Sequence, residues 1–150
     1  MTDLFARVRG DIADTLDALL PSHSEIAQPM VDAMRHAVLG GGKRMRPLMA
    51  CAACEAFSGS FKAALPAACG LEFIHAYSLI HDDLPAMDDD ELRHGQAATH
   101  VAFGEANAIL AGDSLHSLAF QSLAEAPGLS QAAKLRCITL LSTAAGWPCM

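Results

Sequence analysis

The chain has 150 residues, of which 52% are hydrophobic and 18% are charged, a composition that is typical of a globular protein and excludes a disordered tail. Its net charge of −7 repels nucleic acid and anionic membrane surfaces, so we expect neither as a partner, and an anionic substrate would need metal ions or a local basic cluster. Ala, Leu and Met are frequent whereas β-branched residues are sparse, which predicts an all-α fold.

The sequence also carries information about the compartment. Charged residues such as Lys62, Glu72 and Asp82 interrupt the most apolar region, so no membrane span is expected. The first eight residues lack a signal-peptide pattern, and five cysteines at irregular spacing describe no disulfide framework, which predicts a cytoplasmic protein. We interpret Cys51 and Cys54 as buried helix cysteines rather than as a redox or zinc motif.

Hydrophobic residues recur at steps of three and four along most of the chain, which predicts helices. In the first helix this repeat consists of Leu4, Val8, Ile12, Leu16 and Leu19. Pro29, Pro47 and Pro66 suit helix starts, and the glycines at 40–42 and Gly59 suit helix ends. In chain order the predicted helices are residues 3–20, 29–38, 47–57, 67–84, 101–125 and 130–145.

Two segments interrupt this pattern. Residues 86–98 are polar and charged, so we expect a loop or a frayed helix end there. Pro127 and Gly128 predict a turn, after which Ser130 can cap the last helix. No linker or repeat divides the chain, so it is one domain or part of one.

A basic cluster precedes the third predicted helix. Three of the ten Lys and Arg residues fall within four positions of the sequence Gly40-Gly41-Gly42-Lys43-Arg44-Met45-Arg46-Pro47. Cations at a helix start oppose the helix dipole, whereas the free backbone N–H groups there favour anions. The cluster therefore predicts a phosphate site, and a solvated basic turn remains the alternative.

An acidic cluster follows the most apolar helix. The sequence His81-Asp82-Asp83-Leu84-Pro85-Ala86-Met87-Asp88-Asp89-Asp90-Glu91 holds six of the 17 acidic residues. Divalent cations relieve the repulsion among carboxylates, and oxygen ligands of this kind favour magnesium shared with phosphate oxygens. The cluster therefore predicts a Mg²⁺ site, with a solvated acidic loop as the alternative.

Helical spacing places His75, Ser78 and Asp82 on one face of that apolar helix. His75 is as often a core histidine as a ligand in such a position. Arg93, just beyond the acidic cluster, is either a counter-charge or a further phosphate ligand.

With these residues the chain resembles the trans-isoprenyl diphosphate synthases, and among them the bacterial farnesyl and short-chain geranylgeranyl type. The family's basic motif resembles residues 41–47, and its first aspartate-rich motif, in the form with two extra residues, resembles residues 82–88. Residues 99–113 also match, including Phe103-Gly104-Glu105-Ala106-Asn107-Ala108. The resemblance runs from about 30 to about 146 and implies the helical bundle of the isoprenoid synthases.

The resemblance implies a prenyltransferase that condenses isopentenyl diphosphate with an allylic diphosphate, to farnesyl or geranylgeranyl diphosphate. Asp82, Asp83 and Asp88 are similar to its Mg²⁺ ligands, and Arg93 to an arginine that contacts the allylic diphosphate. In that reaction magnesium draws charge onto the leaving diphosphate, and the double bond of isopentenyl diphosphate attacks the allylic cation.

Further residues are assigned by the same resemblance. Lys43, Arg46 and His75 are similar to ligands of isopentenyl diphosphate. Tyr77 and Ser78 occupy positions that limit product length in this family, and the bulk of Tyr77 implies a short product. The family also implies a homodimer.

Two departures from the family pattern matter. His94 replaces an arginine that contacts isopentenyl diphosphate, which weakens that expectation because histidine is mostly neutral at pH 7. The family's second aspartate-rich motif is absent from residues 1–150, so we expect a partial domain that is inactive by itself. The alternatives are a non-catalytic partner subunit of a synthase and a metal-dependent phosphohydrolase, which would need more spaced histidines.

Overall fold

Helices form almost all of the regular structure in the computed structural model, which describes residues 2–58 and 60–147. The all-α prediction is therefore confirmed. The elements, in order, are α1 (Thr2–Leu19), α2 (Gln28–Leu39), α3 (Met45–Ser58), a 3₁₀ turn (Phe61–Ala64), α4 (Leu65–Asp82), β1 (Leu92–Arg93), β2 (Gln96–Ala97), α5 (Thr99–Phe103), α6 (Glu105–Ala124) and α7 (Gln131–Ala144).

Helix α4 lies at the centre of the bundle. It packs most extensively against α6 and also against α3 and α1. Phe73 of α4 and Leu115 of α6 are both fully buried in the shared core. At Gly112 of α6 a Cβ atom would lie 2.3 Å from Nε2 of His81, so only glycine lets this histidine ring lie against α6. The contact fixes the end of α4 just before the acidic cluster.

The predicted apolar face of the first helix is confirmed. Val8, Ile12 and Leu16 are buried in the core, and Leu19 packs against it. The side chain of Leu4 lies outside the described residues. At the other end of the chain, the hydroxyl of Ser130 accepts a hydrogen bond from the backbone N–H of Ala133 at 3.2 Å and so caps α7 as predicted.

The structure corrects two segments. Within residues 86–98 the chain forms a short antiparallel hairpin in which Leu92 pairs with Ala97, because His94 (φ 53°) and Gly95 (φ 81°) make a tight left-handed turn. The helix predicted over 101–125 is broken at Gly104, whose φ of 82° and ψ of 153° are accessible to glycine only. The predicted helix end at Gly59 falls outside the described residues.

One helical stretch bears on the membrane prediction. By length and composition Phe61–Asp82 could cross a membrane, contrary to the expectation from sequence, but its apolar window is 50% buried inside the bundle. A core helix passes the same test, so this stretch is weak evidence for a span.

Cys51 is a core residue, as interpreted, whereas Cys54 is only partly buried. Cys51 and Cys69 are fully buried. Burial, with neighbouring thiols and carboxylates, raises the pKa of Cys51 to about 11 and that of Cys69 to about 12. Because the thiolate is the reactive and metal-binding form, neither residue is suited to redox or zinc chemistry.

Candidate diphosphate and metal site

A pocket of about 570 Å³ opens between the end of α2, the basic cluster, α4 and the hairpin. Four cations and two carboxylates line it, so the ionised side chains leave an excess of two positive charges that suits a doubly charged anion. Three histidines are the other titratable residues of the lining. These residues are Lys43, Arg44, Arg46, Arg93, Glu72, Asp83, His36, His75 and His94.

The basic cluster forms a left-handed turn before α3. Gly41 and Gly42 have φ values of 128° and 109°, and Arg44 follows with a φ of 52°. The three cations of this turn differ in their exposure to solvent. Lys43 and Arg46 are exposed, and neither has an ion pair among the described residues, whereas Arg44 donates from Nη1 to Oε1 of buried Glu72 at 2.7 Å.

One face of α4 forms the floor of the pocket. Its lining residues follow helical spacing of three and four positions, which brings Glu72, His75 and Asp83 onto this face. His75 therefore lies in the same pocket as Lys43 and Arg46. Ser78 and Asp82, predicted on the same face as His75, are not among the pocket-lining residues.

Asp83 is the buried partner of Arg93. It is 2% exposed, and its carboxylate accepts two hydrogen bonds from the Arg93 guanidinium, one of them from Nε at 3.2 Å. The bond to Asp83 raises the pKa of Arg93, and burial opposes this shift only in part. Asp90 lies 3.4 Å from the same guanidinium. Both of the predicted roles of Arg93 remain compatible with this position, since it is paired and also lines the pocket.

Asp82 and Asp88 are brought together by the loop that follows α4. The backbone N–H of Asp88 donates to the carbonyl of Asp82 at 2.8 Å, so two residues six positions apart become neighbours. Asp88 is exposed and Asp82 is half-buried. Among the described residues no group of three or more His, Cys, Asp or Glu side chains is arranged to hold a metal. The pair offers hard oxygen donors of the kind that Mg²⁺ uses when phosphate completes its coordination.

The hairpin carries Arg93 and His94 to the pocket. Its last residue, Ala97, accepts a hydrogen bond at its carbonyl from Nε2 of His36 on α2 at 2.9 Å when that nitrogen is protonated. A Cβ at Gly42 would lie 3.8 Å from Nε2 of His94. The histidine that departs from the family pattern therefore stands against the basic turn.

The environment of His75 makes its protonation responsive to an anion. Burial lowers its pKa below the ordinary value of 6.5, and Arg46 is the next largest cause, with His94 and Arg93 acting in the same direction. Glu72 opposes them. An anion bound among these cations would offset their effect and raise the pKa of His75.

Tyr77 and Ser78 lie away from this pocket. Tyr77 is buried, with its ring edge-to-face against His116 of α6 at 5.0 Å and against His81 at 5.7 Å. Burial, and then the charge of Asp82, raises the pKa of its hydroxyl. The hydroxyl of Ser78 donates to the carbonyl of His75 at 2.9 Å. Tyr77 therefore stands on the α6 side of α4, within the electrostatic reach of Asp82.

Sequence reasoning missed two pocket residues, Glu72 and His36. Glu72 lies three positions before His75, one helical turn away, and this spacing could have drawn attention to it. His36 had no such signal, because it reaches the pocket only through the packing of α2 against the hairpin.

The chain is similar to known proteins. The polyprenyl synthetase family model matches residues 27–147. Farnesyl diphosphate synthase of Escherichia coli is 50% identical over 120 residues, which are 79% of this chain and 40% of that protein. The heterodimeric geranylgeranyl pyrophosphate synthase large subunit 1 of Arabidopsis thaliana, a chloroplastic protein, is 49% identical over 116 residues, 76% of this chain and 31% of that protein.

A solved structure also has the same fold. The apo FPP/GFPP synthase of Zymomonas mobilis superposes with a TM-score of 0.91 at 41% identity, over 97% of this chain and 52% of that one. The chain thus spans about half the length of this solved relative and less than half of the curated relatives. On the match of the family model, the resemblance inferred from the basic and aspartate-rich motifs is confirmed, and the chain belongs to the polyprenyl synthetase family.

Proposed function

We propose that this chain provides the isopentenyl diphosphate site and one of the metal sites of a prenyltransferase that forms farnesyl or geranylgeranyl diphosphate. The two curated relatives named above are a farnesyl diphosphate synthase and the large subunit of a geranylgeranyl pyrophosphate synthase. The observation that carries the proposal is the pocket beside the basic turn, where Lys43 and Arg46 are exposed and form no ion pair with any carboxylate that the structure describes.

Lys43 and Arg46 bind the diphosphate of isopentenyl diphosphate in this proposal, and His75 and His94 donate to it when protonated. Charge-assisted hydrogen bonds to phosphate oxygens are about twice as strong as neutral ones. Arg93 lies at the hairpin edge of the same pocket and contacts the allylic diphosphate.

Asp82 and Asp88 would hold Mg²⁺, since the loop brings them together on the backbone. Bound magnesium supplies Lewis-acid stabilisation of the departing diphosphate. Asp83, which the resemblance also assigns to the metal, is better suited as the counter-ion that orients Arg93, because its carboxylate is buried against that guanidinium.

Tyr77 limits product length in this proposal and favours a short product. Its buried ring fills the space between α4 and α6, next to the helix turn that carries Asp82. We place the reaction in the cytoplasm, as the composition and the reduced cysteines suggest.

The test is calorimetric titration of isopentenyl diphosphate into the purified chain. Lys43→Ala and Arg46→Ala should each weaken binding by at least about tenfold, since each removes a charge-assisted contact worth about 1.5–3 kcal/mol. Lys62→Ala, which removes an exposed lysine outside the pocket, is the matched control. Unchanged affinity in both pocket variants would reject the basic turn as the substrate site.

Prenyl transfer is assayed separately, with labelled isopentenyl diphosphate, an allylic diphosphate and Mg²⁺. We expect the 150-residue chain to bind without turnover, because groups that act as a unit in catalysis are strongly non-additive. Multiple turnovers that disappear in Asp82→Asn would show instead that this chain is an enzyme by itself.

A second candidate function is that of a partner subunit. Apolar side chains are exposed on α6 and α7, among them Leu110, Leu135 and Leu140 at 52%, 66% and 54%. One relative is named as a subunit of a heterodimer. Comigration with a full-length synthase in size-exclusion chromatography would favour this role, and comigration of two copies of the chain would favour the homodimer that the family implies.

A further inference from the structure

One cation of the basic turn, Arg44, differs from the other two because it forms an ion pair with buried Glu72. Glu72 is 5% exposed, and its Oε1 accepts from Nη1 of Arg44 at 2.7 Å. The same guanidinium donates through Nη2 to the carbonyl of Val38 near the end of α2. Arg44 therefore connects α2 and α4 through one side chain, and its guanidinium is already occupied.

The backbone of Arg44 also adopts an unusual conformation. Its φ of 52° is left-handed, a conformation that costs free energy in a residue with a Cβ atom. Its carbonyl accepts from the N–H of Leu48 at 3.0 Å and so begins the hydrogen bonding of α3. Strained conformations persist only where the surroundings hold them. This turn is held by the ion pair, by the bond from Arg44 to the carbonyl of Val38, and by a bond from Nη2 of Arg9 to the carbonyl of Lys43 at 3.2 Å.

We propose that Arg44 and Glu72 are positioning residues that hold the basic turn so that Lys43 and Arg46 converge on one diphosphate. Glu72 lies one helical turn before His75, so the same pair fixes the turn relative to the histidine of the site. The proposal rests on the proposed function for its ligand, but its structural part concerns the turn itself.

Two effects of Glu72 on an anion have opposite signs, and this makes the proposal testable. As a charge, Glu72 repels a diphosphate, so Glu72→Gln should strengthen binding if electrostatics were its only contribution. As a positioning residue, Glu72 keeps the turn in place, so the same substitution should weaken binding. Glutamine can still accept a hydrogen bond from Arg44 but lacks the charge that makes this bond strong, so we expect about a tenfold loss of affinity for isopentenyl diphosphate.

The double variant Arg44→Met/Glu72→Met distinguishes positioning from stability. Replacing both members of a buried ion pair by apolar residues of similar size is often neutral for folding, and it leaves the net charge of the pocket unchanged. We expect the double variant to unfold near the temperature of the parent chain and still to bind the diphosphate about tenfold more weakly. Parent affinity in a folded double variant would overturn the proposal.

Amide hydrogen exchange tests the turn without any ligand. In Glu72→Gln the amides of residues 41–48 should exchange at least about tenfold faster, whereas those of α6 should not change. Asp17→Asn, which breaks the exposed ion pair with Arg35, is the control and should leave residues 41–48 unaffected. If the parent chain binds no isopentenyl diphosphate, the proposed function fails, and the exchange rates alone decide this inference: unchanged exchange in Glu72→Gln overturns it.

Discussion

The basic turn (residues 40–47) and the acidic loop (residues 82–91) resemble each other in construction but carry opposite charges. Each contains one charge held in an ion pair with a buried carboxylate: partly buried Arg44 in the turn pairs with buried Glu72, and buried Asp83 at the end of α4 pairs with Arg93. Among the described residues, the turn also presents two charges with no ion pair, Lys43 and Arg46, and the loop presents four, Asp82, Asp88, Asp89 and Glu91. The difference lies in the support: side chains hold the turn, whereas a backbone hydrogen bond closes the loop.

This comparison indicates which members of a charged motif are structural. A charge that is buried against an opposite charge has lost its water and is expensive to separate from its partner. A charge left exposed near others of the same sign is available to a ligand that relieves the repulsion. Each motif therefore divides into a structural residue and ligand-binding residues, although the residue types are alike.

The largest expected effect separates Asp83 from Asp82. Asp83→Ala should lower the free energy of unfolding by about 2–3 kcal/mol, because it leaves the partly exposed Arg93 without its buried partner. Asp82→Ala, at a half-buried position without a recorded ion pair, should change it by no more than about 0.5 kcal/mol. Urea denaturation followed by circular dichroism measures both. Equal losses of unfolding free energy would show that the two adjacent aspartates contribute equally to stability.

A second substitution tests how α4 is anchored before the acidic loop. Gly112→Ala would bring a Cβ to 2.3 Å from the His81 ring, and we expect it to destabilise the chain by about 1–3 kcal/mol. Gly10→Ala is the matched control in α1, where a Cβ meets nothing within 4 Å. The control should stabilise by about 0.5–1 kcal/mol, as alanine does in a helix interior. A neutral Gly112→Ala would contradict the close contact.

The next largest expected effect concerns the proposed metal ligands. Asp82→Asn and Asp88→Asn should each weaken Mg²⁺ binding in the presence of inorganic diphosphate by about tenfold, the lower limit for altering a metal site. Mn²⁺ binding followed by electron paramagnetic resonance provides a direct readout. Asp89→Asn, in the same exposed loop, serves as the control. Retained affinity in both Asp82→Asn and Asp88→Asn would exclude the pair as metal ligands.

The smallest effect is a shift in the titration of His75. Its pKa should lie below 6.5 in the free chain and should rise when inorganic diphosphate is added. Because the unfolded state then takes up a proton first as the pH falls below 6.5, His75 lowers stability in acid, while diphosphate binding strengthens there. Proton NMR of the histidine rings, assigned with His75→Gln, follows both changes. A pKa unaffected by diphosphate would place the anion elsewhere.

The sequence by itself determined the helical class, the order of most helices and the two motifs that identify the family. These features are local: a repeat of three and four positions specifies an amphipathic helix whatever it packs against. The proline in the first turn of α2 and the Ser130 cap are local for the same reason.

Only the tertiary structure decided which charges within the motifs are paired. Arg44 pairs with Glu72 across 28 positions of sequence, and Arg93, in the first strand of the hairpin, pairs with Asp83 across the acidic loop. Sequence spacing carries no information on such pairs, because burial and distance depend on how α2, α4 and the hairpin pack together. The same packing brought His75 and Asp83 to the pocket beside the basic turn and left Asp82 outside it, since adjacent residues such as Asp82 and Asp83 lie about 100° apart around a helix axis.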